Sequence, residues 1–251
     1  MWSRTGTSSC SASMSESALT RPRGRVQALD LFRGLCILLM AAYHFTYDLV
    51  FYCGLPAALV VSPPAAAVQV LSSRGFILLA GISSRLSRSN ARRGCIVLAA
   101  GFLVEVVSAL WGDPIRFGIL QFMGGAMLIY AATGPVWRRL PGPALPILSL
   151  SAFVLCRLLL PAYTSLPFLY PFGLITRSFI SSDYYPLFPW LFLFLLGTWL
   201  GGFLQEGKGP DALYRWRLPV LNAMGRHSLL IYLLHQPVLV VLAFGLSRLL
   251  A

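Results

Sequence analysis

The chain has 251 residues, 57% of them apolar and only 11% charged, and a formal net charge of +12 at pH 7. Soluble domains carry roughly a quarter charged residues, so a solvated globule is excluded, and a mean hydropathy of +0.73 agrees with a bilayer as solvent. The positive charge lies in short arginine clusters between apolar runs, with no separate basic domain, which argues against nucleic acid as the partner.

Residues 1–24 are rich in Ser, Thr, Arg and Pro and lack the apolar core of a secretory signal, so a disordered cytoplasmic tail is expected there, followed by one membrane domain over 25–251. Seven apolar runs follow, at 34–53, 65–83, 94–111, 116–133, 144–161, 187–204 and 228–250. Each approaches the ~20 residues a helix needs to cross a bilayer. The stretch 161–186 has room for an interfacial or re-entrant piece. The expected fold is therefore all-α: a polytopic membrane helix bundle of about seven transmembrane helices.

The gaps alternate in charge. Arg85, Arg88, Arg92 and Arg93 follow run two, Arg138 and Arg139 follow run four, and Lys208, Arg215, Arg217 and Arg226 follow run six. The intervening gaps hold no basic residue at 54–64, Arg116 beside Asp113, and Arg177 with Asp183. By the positive-inside rule the N-terminus is expected inside and the C-terminus outside. The five cysteines, none in a C-x-x-C pair, read as small buried hydrophobes; neither a metal site nor a disulfide frame is expected.

Ionisable groups within spans are costly and so mark candidate sites. The first span carries Asp30, Arg33, His44 and Asp48. Arg33 and His44 are separated by about three helical turns and share a face, and Asp48 is one turn beyond His44. A histidine beside a carboxylate can take a proton from an incoming nucleophile or attack an acyl group itself, with the carboxylate orienting it. An arginine at the membrane edge can bind phosphate through a bidentate fork. A donor with a phosphate-rich head and a long thin arm, such as coenzyme A, would span the two. The plainer reading is that these groups pair with neighbouring helices.

His235 precedes Pro237 in the last span; it either lines the site or bonds a carbonyl that the proline frees. His227 is expected to be a solvated edge residue. Arg74, Glu105 and Arg157 need partners: Arg74 with Asp48 or Glu105 would neutralise buried charge, and a structural ion pair is expected for Glu105. Asp183, between a serine pair and a tyrosine pair, either binds sugar hydroxyls or an amine, or caps a helix start.

The motifs R-x-x-A-L-D-x-x-R-G…M-x-x-x-H-F-x-x-D-L, F-G-I-L-Q-F-M-G, D-Y-Y-P-L-F-P-W-L-F-L-F-L-L-G and G-R-H-S-L-L-I-Y-L-L-H-Q-P-V occur in that order over about residues 25–245. In these the chain resembles bacterial relatives of heparan-alpha-glucosaminide N-acetyltransferase. The Arg33-to-His44 spacing is also similar to the R-x10-H signature of the wider membrane acyltransferase superfamily. The resemblance implies acetyl-CoA as cytoplasmic cosubstrate and a glycan or lipid-linked sugar as acceptor on the far side. It implies His44 as the catalytic histidine and Arg33 as donor-binding, and the i, i+4 placement adds Asp48 beside His44. Arg74 and Gln121 are expected on the donor side too, and Asp183 and His235 on the acceptor side. One departure is that residues 54–64 hold no histidine, where the eukaryotic enzyme places its proposed active one. The chain is accordingly expected to be a multi-pass acetyltransferase of the inner (plasma) membrane. Two other classes remain beside this one: a proton-coupled small-molecule transporter or flippase, and a non-enzymatic scaffold.

Overall fold

The computed structural model describes residues 26–161 and 163–250; the expected N-terminal tail lies outside them. In chain order the elements are α1 (Gln27–Cys53), α2 (Ala58–Val61), α3 (Pro63–Leu86), α4 (Asn90–Leu110), α5 (Ile119–Arg139), α6 (Ala144–Leu159), a 3-10 turn (Pro167–Phe172), α7 (Leu187–Gln205), α8 (Ala212–Arg215), α9 (Pro219–Arg226) and α10 (Ser228–Leu250). Six of these, α1, α3, α4, α5, α7 and α10, are long and apolar enough to cross a membrane. The 16-residue α6 is apolar but shorter, about 24 Å at 1.5 Å per residue. The seven expected runs are thus seven helices.

Their ends follow local chemistry. Gly54, at φ 69°, closes α1 in the left-handed conformation that glycine adopts without steric cost. Pro63 and Pro64 open α3, in the first turn where a missing N–H costs nothing. Helix α1 begins seven residues before the apolar run. Its polar first turns stay helical because α9 packs across them: Asn222 donates its amide to the Gln27 carbonyl at 2.8 Å, and a methyl group on Gly34 would strike the Leu221 carbonyl. Helix α9 falls in a gap with no apolar run, so hydropathy did not reveal it.

α1 sits among α3, α9 and α10; α3 packs along α7, and α7 along α6. α4 pairs with α5, which also meets α3 and α7. The α3–α7 seam is made by small residues. A side chain at Gly81 would meet the Phe194 carbonyl, and one at Gly197 the Leu78 carbonyl. Such close approach is how membrane helices gain packing energy where lipid offers no hydrophobic drive. Ile37, Ile77, Phe122, Ala126 and Phe194 are fully buried between α1, α3, α5 and α7, while Leu110, Leu158, Val241 and Leu249 face outward. Large apolar side chains outside and a tight interior are what a lipid solvent requires. Residues 161–186 hold the 3-10 turn and one parallel bridge, Tyr163 to Ile175.

Candidate functional site

The site is built on the seam of α1 and α10. His44 and His235 meet there with ring centroids 5.0 Å apart and planes at 61°. The Nδ1 of His44 bonds the Met40 carbonyl at 2.9 Å, and that of His235 bonds the Tyr232 carbonyl at 2.5 Å. A carbonyl can only accept, so both Nδ1 atoms carry a proton, and in the neutral ring each Nε2 presents a lone pair. The Nε2 of His235 is buried and has no protein partner. Tyr43 packs beside His44 at 5.9 Å and Tyr232 beside His235 at 5.4 Å. The bond of His235 goes to Tyr232, three residues back. The carbonyl that Pro237 frees, four residues back, belongs to Leu233.

Asp48 is buried and accepts from the Gln236 amide at 3.0 and 3.3 Å. Asp48 was expected to orient His44; the bond it makes is with Gln236. That bond locks α1 against α10, one residue from His235, and so holds the two rings in register. Gln236 was missed; its place between His235 and Pro237 was the available signal.

Arg33 is half-buried about 16 Å along α1 from His44. It pairs with Asp30 at 3.1 Å and donates to the Ser83 hydroxyl of α3. The helix ends bearing Arg33 and Arg85 thus lie at one end of the bundle.

The opposite side is closed by the loop before α7, which dips inward. Tyr185 lies beside Ser73, ten residues on from Pro63 where α3 starts, or about 15 Å along the helix. Its amide also donates to the Phe117 carbonyl at 3.0 Å. The half-buried Asp183 accepts from the amide of Ile119 at 3.1 Å and so caps α5. Burial pushes its carboxyl up to about 6, against the weaker downward pull of that hydrogen bond. Of the two roles weighed for Asp183, capping is therefore occupied, though for α5 and not for α7. Asp183 and Tyr185 are both within electrostatic reach of Tyr232, which connects this loop to the histidine pair.

The remaining expected residues fall elsewhere. Arg74 lies over the Trp190 ring at 5.5 Å and near Tyr185. It pairs with neither Asp48 nor Glu105, and it sits with Asp183, away from Arg33. Glu105 accepts from the Gln121 amide at 2.5 Å, so its partner is an amide in place of the expected cation. The other end of Gln121 accepts from Gly118 N–H at 2.7 Å. Its two ends bind α4 to the start of α5. Arg157 is exposed in the last turn of α6, where the helix dipole favours a cation. His227 is exposed. Cys36, Cys53, Cys95 and Cys156 are free thiols. Among the described residues no three His, Cys, Asp or Glu side chains converge as a metal site.

A family model described as heparan-alpha-glucosaminide N-acetyltransferase, catalytic, matches residues 25–237. The chain belongs to this family. The matched region runs from just before α1 through Pro237 and so includes the histidine pair, Asp48 and Gln236. No curated protein and no solved structure matches the chain. Membership in the heparan-alpha-glucosaminide N-acetyltransferase family carries transferase activity, and the long apolar helices make the chain an integral membrane protein.

Proposed function

We propose that the protein moves an acetyl group from cytoplasmic acetyl-CoA to the amine of an amino sugar or envelope glycan, at the inner (plasma) membrane with its N-terminus inside. The observation that carries this reading is the pair of imidazoles, each with Nδ1 fixed by a carbonyl of its own helix, between the arginine-rich end and the Asp183–Tyr185 loop. Family membership supplies the reaction type.

In this mechanism the amine nitrogen attacks the thioester carbonyl carbon. The N–C bond forms, the C–S bond breaks, and the proton leaving nitrogen passes to Nε2 of His44 and then to the departing thiolate. One neutral imidazole thus serves as base and acid, a role worth roughly 10²–10⁴-fold. His235 accepts a hydrogen bond from the amine through its open Nε2. Asp48 is a positioning residue acting through Gln236. Arg33 binds a phosphate of the donor through its guanidinium. Arg74, Asp183 and Tyr185 line the acceptor side, where a carboxyl held near neutrality can exchange hydrogen bonds with sugar hydroxyls.

The test is transfer by the purified protein in lipid nanodiscs, given radiolabelled acetyl-CoA and glucosamine. Label in N-acetylated sugar is the expected result. A protein that binds no acetyl-CoA and labels no amine would favour the carrier or scaffold readings instead.

A further inference from the structure

The arginine-rich end of the bundle holds a cavity of about 580 Å³ between the α3–α4 turn, the later half of α5 and the end of α7. Arg85, Arg88 and Arg138 line it, and no acidic side chain is among its described lining residues. Glu206 lies within electrostatic reach of Arg85, but its carboxylate is paired with Lys208 at 2.7 Å.

Three polar atoms at this cavity lack protein partners. Tyr130 is 2% exposed and its hydroxyl has none. The Nε of Arg85 has none either. Asn90 donates its amide to the Ser84 carbonyl at 2.7 Å, which leaves its Oδ1 without a partner. Buried polar atoms are rarely left so without a ligand or water to satisfy them. The start of α4 adds to this. No side chain caps it, and its first turn reads Asn-Ala-Arg-Arg. Cations at the positive end of a helix dipole are unfavourable unless an anion sits among them.

We propose that this cavity is a recognition site for a phosphate ester, separate from the histidine pair. Guanidinium forks match phosphate oxygens, and Tyr130 and the Arg85 Nε–H supply further donors. The volume is too large for a bare ion. The Asn90 Oδ1, an acceptor among cations, calls for a hydroxyl carried by the same ligand. Two sources share that chemistry: the ribose-phosphate end of a nucleotide, and a phosphoglycerol lipid headgroup. The site is not the Arg33 seam. Ser83, which faces Arg33, and Arg85 are two residues apart, about 200° around α3.

The test uses the full-length protein and two probes. Radiolabelled 3′-phosphoadenosine 5′-diphosphate is titrated in phosphatidylcholine nanodiscs. Retained phosphatidylglycerol is measured by native mass spectrometry after reconstitution in a mixture with phosphatidylcholine. Arg85→Gln, Arg88→Gln and Arg138→Gln should each weaken one of the two probes by about tenfold, and Arg138→Lys should lose less than Arg138→Gln. The probe that responds names the source. The proposal is overturned if neither probe binds the wild type. It is equally overturned if both bind the folded triple glutamine variant unchanged, including the case in which Arg33→Ala alone removes the nucleotide. His44→Ala should leave this binding intact, so failure of the acetyl-transfer reading and failure of this one are distinguishable.

Discussion

The two histidines reach one another from opposite ends of the chain, and each is fixed by a carbonyl of its own helix. Their helices were legible from hydropathy and their importance from the cost of burying them. Their pairing was not, because spacing within one span says nothing of what another span brings. Asp48 shows the same limit: its i, i+4 relation to His44 points to a dyad, while the amide that meets it comes from Gln236 of another span. A specific result follows. Asp48→Asn should be well tolerated, with less than about a tenfold loss of kcat, because an asparagine oxygen still accepts from Gln236 and its amide can reach the unpartnered Gln236 Oε1. Asp48→Ala leaves Gln236 without that partner and should cost about 1–3 kcal/mol of stability, with kcat falling more than KM rises. Thermal denaturation and steady-state kinetics on both variants decide this; equal, large losses in the two would return Asp48 to the orienting role. Asp183 gives a pH test. Its folded-state carboxyl titrates near 6, above the ordinary 3.8, so the folded protein binds the extra proton more tightly. The stability this contributes is fully present below about pH 4 and is lost as pH rises through 6. Asp183→Asn keeps an acceptor for Ile119 but cannot ionise. Relative to the wild type, its melting temperature should therefore rise between pH 4 and pH 6.5 and then level off. A constant difference across that range would contradict the assignment.

At the scale of elements, seven helices could be read from apolar runs with ends displaced by a few residues, because hydropathy registers lipid contact and not packing. Helix α1 runs seven residues further than its apolar core, since Asp30 and Arg33 satisfy each other and α9 covers them. Helix α5 starts at Ile119, after Phe117 turns to φ 56° and Gly118 extends, so that Gln121 and Asp183 can meet the first amides. Neither signal exists within the run itself. The α3–α7 seam was also invisible, since glycines in a span read only as weakly apolar. Gly197→Leu should drive a side chain into the Leu78 carbonyl and destabilise the protein by at least about 1–3 kcal/mol. Gly142, in a loop where an added Cβ would meet nothing within 4 Å, should accept alanine without measurable change. Melting curves in one detergent would compare the two, and a neutral Gly197→Leu would show that α3 and α7 do not meet as described.

For the whole molecule, the arginine clusters, the Arg33 seam and the arginine-lined cavity share one end, and the inward-dipping Asp183–Tyr185 loop closes the other side of the histidine pair. That polarity suits a donor and an acceptor arriving from opposite faces. It predicts that a reporter fused after Ala251 scores outside and one inserted at Arg88 scores inside; both on one side would contradict the seven-span orientation. The central claim is narrower and rests on His44. Its most direct measurement is the rate of label transfer from acetyl-CoA to glucosamine by His44→Ala in nanodiscs, taken with acetyl-CoA affinity and melting temperature on the same preparation. Transfer should fall by at least about 10²-fold, while affinity and melting temperature stay near the wild-type values. A folded His44→Ala protein that transfers at the original rate would contradict the account.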